Sequence, residues 1–204
     1  MAATPVPLPL SEAIDEYLTW LELDRHCSPG TVSEYGADLR RFAEFAGGDQ
    51  APGVSELDRD LLRAYQRHLA RLQTGPKGAK HPLSISTRAR RLVSLRSLLR
   101  FAAREEWLPG DLGATVDVPK IPERLPKPLE AQGRDRLLEG LPGQTLAQKR
   151  DRAFILFLLS TGCRISETLQ LDRSDWHPQR MSVIGKGNKE RPVTITERAQ
   201  NAVE

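Results

Sequence analysis

Residues 151–167, DRAFILFLLSTGCRISE, and residues 183–191, VIGKGNKER, decide how this chain is read. Seven apolar residues in succession, Ala153 to Leu159, do not make a one-sided surface helix, so the pattern predicts a helix over Asp151–Ser160 in the middle of a domain. Gly162 is placed to end that helix in a left-handed conformation, and Arg164 then stands at the start of the next one. There a planar fork of donors joins free backbone N–H groups and the positive end of a helix dipole, a combination suited to a phosphate. Further on, Lys186 lies between two glycines at the tip of an expected hairpin, joining strands over Met181–Gly185 and Arg191–Thr196. An arginine and a lysine presented this way can meet at one phosphodiester. Taken singly, either residue is more often a solvated surface feature.

Around this stretch the pattern predicts a helix near Glu130–Gly140, a loop over Leu141–Gln148, a polar turn around Trp176 and a last helix capped by Thr196. Upstream, Pro119, Pro122, Pro126 and Pro128 interrupt any periodicity and describe an extended linker. The expected organisation is a helical domain over 1–110, a linker over 111–128 and a second, incomplete domain over 129–204.

The N-terminal part reads as four helices. The first runs from Ser11, as N-cap, to about His26, with Leu10, Ile14, Tyr17, Leu18 and Leu21 inward. Ser28-Pro29 opens a second that reaches Ala46, where Gly47-Gly48 ends it. The third runs from Asp58 to about Leu72, the segment Thr74–Pro82 is a loop, and Ser84 or Ser86 caps a fourth reaching about Glu106.

Composition narrows the partners. At 204 residues, 39% hydrophobic and 28% charged, the chain is globular in character; it shows no signal peptide or membrane-spanning run, so the expected compartment is the cytoplasm, without membrane contact. Cys27 and Cys163 have no CxxC partner and the 4 histidines no ligand spacing, so no metal and no cofactor is expected. Cys163 reads as a small buried residue, with a reactive thiol beside Arg164 as the alternative.

The net charge is only +3, yet residues 61–104 carry eleven Lys or Arg and no acid, whereas residues 1–24 carry five acids and no base. Arg59, Arg63, Arg67 and Arg71 lie on one basic stripe; Arg96, Arg100 and Arg104 form another, supplemented by Arg88, Arg90 and Arg91; Lys77 and Lys80 sit in the loop between them. With no acid inside the segment to pair with, these side chains are expected to contact nucleic acid. The aromatics fall on apolar faces, so a duplex held by its phosphates fits better than stacked single strands.

Two sets of residues resemble a known family, the tyrosine recombinases of the lambda-integrase type, and most closely their Xer-like branch. Tyr17-Leu18, Ser28-Pro29, Thr31-Val32, Tyr35, Asp38-Leu39 and Phe42 resemble its helical, SAM-like core-binding domain. Leu125-Pro126-Lys127-Pro128-Leu129, the segment Thr161–Glu167 and the segment Val183–Arg191 are similar to the entry to its catalytic domain and to the motifs carrying its first catalytic arginine and its catalytic lysine. The resemblance implies a mainly α fold with a small β component: a core-binding domain followed by the N-terminal part of an α+β catalytic domain.

In that family a tyrosine attacks a DNA phosphodiester and forms a phosphotyrosyl link. The resemblance makes Arg164 the group that stabilises charge on the phosphate, Lys186 the general acid and Glu167 a supporting acid, with Lys189 and Arg191 touching phosphate or solvent. The expected partners are duplex DNA with an inverted-repeat site and further recombinase subunits on it. The family's His-x-x-Arg motif and nucleophilic tyrosine have no counterpart here, since the only tyrosines are Tyr17, Tyr35 and Tyr65. The chain is therefore expected to be truncated before those motifs, binding DNA without recombining it alone. A short non-catalytic binder competing at recombination sites, and a helical protein whose basic stripes meet an acidic partner, are the alternatives.

Overall fold

Side-chain caps set three of the first four α-helix starts. Ser28 Oγ accepts the Thr31 N–H at 3.3 Å and Pro29 begins α2, Pro29–Ala46; Asp58 Oδ1 accepts the Leu61 N–H at 2.8 Å ahead of α3, Arg59–Arg71. Ser84, not Ser86, caps α4, Ile85–Arg104, accepting the Thr87 N–H at 3.1 Å. The first helix, α1, departs from expectation: it spans Leu10–Leu23 behind Pro9 with no side-chain cap, so Ser11 is not its N-cap. Burial of Leu10 draws the helix back, and the Leu8 carbonyl is tied to the Val54 N–H at 2.9 Å. At its other end His26 turns to φ 48 and stops the helix short.

The computed structural model describes residues 8–76, 79–123, 125–177, 181–185 and 189–203. The chain divides into two compact units, Met1–Arg124 and Leu125–Glu204. In the first, α1 and α4 pack on α2, and α3 packs on both α2 and α4. Leu39, Leu95, Leu99 and Ala102 are fully enclosed at the centre, with the Tyr17, Trp20 and Phe101 rings on one side and Phe42 against Tyr65 on another.

Two segments differ from the sequence reading for the same reason, burial of their ends. Within the expected loop, β1 (Gln73–Thr74) pairs antiparallel with β2 (His81–Pro82), because buried Leu83 brings its N–H to the Leu72 carbonyl. The helical unit also extends past the boundary expected at 110. Leu112–Thr115 forms a 3-10 turn, Val116 is buried, and its carbonyl accepts from Arg96 Nη2 at 2.6 Å, while Gln66 donates to the Asp117 carbonyl at 2.9 Å. Gly113 allows this contact, because a Cβ there would meet the Arg96 carbonyl oxygen at 2.8 Å.

The second unit holds α5 (Ala131–Glu139), α6 (Leu146–Thr161), α7 (Ile165–Leu169), a hairpin of β3 (Ser182–Gly185) and β4 (Lys189–Pro192), and α8 (Glu197–Val203). A reciprocal cap between Thr145 and Gln148 starts α6 well before Asp151. Its apolar run predicts enclosure on all sides, but the helix is open on one. Leu156 and Phe157 are buried with Met181, Val183, Ile195 and Ala199, whereas Leu159 is 45% exposed. The β4 strand begins at Lys189 instead of Arg191, and Val193 extends the ladder through its N–H to the Met181 carbonyl. Among the described residues no helix is long and apolar enough to cross a membrane.

A candidate phosphate-binding site and the basic surfaces

Gly162 ends α6 at φ +64 with its N–H on the Leu158 carbonyl, as the sequence predicts. Cys163 is buried, and the Thr161 hydroxyl accepts its N–H at 3.2 Å, so the backbone reaching Arg164 is held on both sides. Arg164 occupies the N-cap of α7. That helix has only five residues, so its dipole adds little, and the N–H of its N-cap residue is already used. The exposed guanidinium is what remains for a ligand.

Glu167 fixes that guanidinium. Its carboxylate is enclosed, with Oε2 accepting the Arg164 N–H at 2.9 Å and Arg191 Nη2 at 3.0 Å, while Oε1 accepts Arg164 Nη1 at 2.5 Å. The Arg164 N–H, the Arg164 guanidinium and Arg191 together hold the carboxyl down at about 2, so it stays ionised at neutral pH. Two guanidiniums against one carboxylate leave the cluster with a single net positive charge. The Arg164 side chain is 64% exposed and keeps further donors free to turn outward.

The hairpin closes onto the same cluster. A Cβ added at Gly185 would stand 3.3 Å from Glu167 Oε1 and 3.9 Å from Arg164 Nη1, so the end of β3 runs along the ion pair. Lys186 follows Gly185 in sequence and lies outside the described residues, as does Lys77. Arg191 sits opposite Val183 in the ladder and joins the cluster through Glu167, with Cys163 Sγ 3.8 Å from its Nη2. Arg191, expected on phosphate or solvent, is turned by the register toward Glu167, with its side chain still 40% exposed. Lys189 is exposed at the strand start.

The basic residues of the first unit separate into two groups. Arg67 and Lys80 are exposed and make no ion pair among the described residues, and Arg63 is exposed with Asp60 at 3.7 Å. Arg90, Arg91, Arg96 and Arg100 all have partners supplied by other segments. Arg90 pairs with Glu34 and, at 2.9 Å, with Asp38; Arg91 lies 3.7 Å from Asp38; Arg96 binds the Val116 carbonyl; Arg100 lies 3.7 Å from Asp111. The absence of acids between residues 61 and 104 therefore did not mean an absence of counter-ions. Arg88 is half-buried, with its Nε enclosed and unpartnered.

Asp38 is the residue that sequence reasoning missed. It is 1% exposed, and its carboxyl is pushed above the usual range by burial, against the pull of Arg90, Arg91 and Arg41. A signal existed: Asp38 falls on the apolar face shared by Tyr35, Leu39 and Phe42, where an acid needs a partner. Tyr17 and Tyr65 are enclosed and burial pushes both phenols up to about 12, the reverse of what a nucleophile needs. No group of His, Cys, Asp and Glu able to hold a metal occurs among the described residues.

Comparison with known proteins adds to this geometry. Residues 14–106 match the phage integrase N-terminal SAM-like domain, and residues 129–204 match the phage integrase family. The tyrosine recombinase XerC of Rhodospirillum centenum is 34% identical over 200 residues, covering 95% of this chain and 57% of that protein. The tyrosine recombinase XerD of Mycobacterium tuberculosis is 33% identical over 202 residues, covering 96% of this chain and 64% of that one. The chain thus spans about three-fifths of the length of these relatives. Among solved structures, the XerH site-specific recombinase bound to palindromic difH substrate superposes with a TM-score of 0.64 at 16% identity, over 98% of this chain and 69% of that one. The Tn1549 transposon integrase in complex with circular intermediate DNA gives 0.59 at 17% identity, over 93% and 62%. At such identities the likeness is one of fold.

Proposed function

The chain belongs to the phage integrase family of tyrosine recombinases, and from that premise we propose that it grips duplex DNA through its helical unit and presents a phosphodiester to Arg164 in its second unit. The observation that carries this reading is the Arg164–Glu167–Arg191 cluster. An exposed guanidinium, held by an enclosed carboxylate, faces solvent beside the end of β3. Such a group binds a phosphate oxygen with little further ordering, and its charge opposes the charge that builds on phosphorus substituents during transfer. Lys186, next in sequence after Gly185, would supply the proton to the leaving 5′ oxygen.

Within residues 1–204 the tyrosines lie only in the helical unit, two of them enclosed. This stretch therefore binds and polarises a phosphodiester but forms no phosphotyrosyl link by itself. An inverted-repeat site carrying further recombinase subunits is the DNA arrangement in which it acts, in the cytoplasm. Exposed Arg63, Arg67, Lys80 and Lys189 make the sequence-independent phosphate contacts, with Arg88, Arg90, Arg91, Arg96 and Arg100 contributing from α4.

Titration of labelled inverted-repeat duplex at several salt concentrations tests the reading. Affinity should fall with salt, and Arg67→Ala should reduce the slope of log K against log salt by about 1. Salt-independent binding, or none, overturns the DNA assignment. A covalent adduct on a nicked duplex would overturn the claim that residues 1–204 are chemically inert alone.

A further inference from the structure

Arg90 is held by two carboxylates of unlike accessibility. Both belong to α2, one helical turn apart, and both reach the same Nη1 of Arg90. Asp38 is enclosed: its Oδ2 lies 2.9 Å from Arg90 Nη1 and 3.4 Å from the buried Ser94 hydroxyl, and its Oδ1 lies 3.7 Å from Arg91 Nε. Glu34 has a side chain 64% exposed, while the Arg90 side chain is 40% exposed. The exposed part of this cluster is therefore the Glu34–Arg90 pair.

We propose that Asp38 is a positioning residue that fixes Arg90 for phosphate contact, and that Glu34 is an exchangeable counter-ion which a DNA phosphate displaces from Arg90. This rests on the DNA reading above and adds its control. An exposed carboxylate–guanidinium pair contributes little stability, because water solvates both partners well when they separate. A phosphate approaching Arg90 replaces one anion by another and leaves no buried charge unpaired. Asp38 cannot exchange in this way, since withdrawing it would leave Arg91, whose side chain is only 12% exposed, without its counter-charge. An arginine anchored at its buried end loses less side-chain freedom when phosphate binds, which favours binding without any new contact.

The test exploits a matched charge change. Glu34→Gln and Asp38→Asn each remove one negative charge, so a response to net charge alone would strengthen duplex binding equally in both. The proposal requires opposite results: about 3-fold tighter binding for Glu34→Gln, where a weak exposed competitor is lost, and about 10-fold weaker binding for Asp38→Asn, where a fixed charged contact is lost. Circular dichroism at the assay temperature verifies that each variant is folded. A second measurement does not depend on the folding of Asp38→Asn. In an Arg90→Gln background, which removes the cation that Glu34 and phosphate share, the gain from Glu34→Gln should disappear. Equal strengthening by both single substitutions, or a Glu34→Gln gain that persists in Arg90→Gln, overturns the proposal while leaving the DNA reading intact. Absence of salt-dependent duplex binding by the unaltered chain overturns the DNA reading itself, and this inference with it.

Discussion

Asp38 in the helical unit and Glu167 in the second unit are both enclosed carboxylates facing arginines, and their acidities move in opposite directions. Asp38 sits between α2 and α4 with three guanidiniums near it, yet its Oδ1 accepts no hydrogen bond and burial raises its pKa above the ordinary 3.8. Glu167 has only two guanidiniums, but both of its oxygens accept bonds, one from a backbone N–H, and its pKa falls to about 2. The number of nearby opposite charges does not decide the outcome. What decides it is the balance of burial and hydrogen bonding: burial dominates at Asp38, whereas at Glu167 the bonds from Arg164 and Arg191 outweigh it. Asp38 is therefore suited to holding long side chains at a distance, and Glu167 to locking one guanidinium in a single orientation.

Removing each carboxylate and its partners sharpens this contrast. The largest effect is expected from Asp38→Ala, which takes the buried acceptor away from the Ser94 hydroxyl and the Arg90 guanidinium and should lower the unfolding free energy of the helical unit by about 2 kcal/mol in urea titration. A change within experimental error would mean that solvent already reaches this cluster. Next, Glu167 should titrate closer to the ordinary 4.5 when its donors are cut back, and more so in Arg164→Ala than in Arg191→Ala, because the Arg164 guanidinium lowers its pKa more than Arg191 does. Carboxyl-detected NMR titration of both variants reads this directly; the reverse order would break the assignment of Glu167 to Arg164.

Acid should divide the two units. The stabilisation from Glu167 is fully present above 4.5 and is lost as pH falls from there toward about 2, because the unfolded chain takes up the proton first. Asp38 has the opposite sign. Its folded pKa lies above 3.8, so its stabilising contribution is present at low pH and is lost as pH rises through the folded value. Trp20 and Trp107 report on the first unit and Trp176 on the second, so single-tryptophan variants followed by fluorescence during acid unfolding separate the two slopes. Parallel slopes would remove the distinction. The smallest effect belongs to Ser94→Ala, which removes a 3.4 Å bond to Asp38 and one of 3.1 Å to the Arg90 carbonyl; about 1 kcal/mol of stability should be lost.

Much of this architecture is local in origin and could be read in advance. Ser28, Asp58 and Ser84 act on the N–H groups three residues ahead of them, and Gly162 answers a steric demand of its own residue, so no distant contact is needed to place those helix ends. Arg164 and Glu167 were legible together for the same reason, being one helical turn apart. Ser11 failed as a cap because Leu10 gains more by burial than the helix gains from a capping hydroxyl, and burial depends on partners from α2 and α4. The run Ala153–Leu159 failed as a mark of full enclosure because hydrophobicity says which atoms avoid water, not how many neighbours are present to exclude it.

The sequence by itself determined the helical periodicities, the caps, the segregation of charge and the spacing of Arg164 from Glu167. Each is fixed within a turn or two of the chain. Only the tertiary structure decided which arginines remain free. Glu34 and Asp38 reach across to Arg90, Asp111 reaches to Arg100, and the β3–β4 register carries Arg191 to Glu167. Ion pairing depends on distance in space and on lost solvation, and neither quantity is set by separation along the chain.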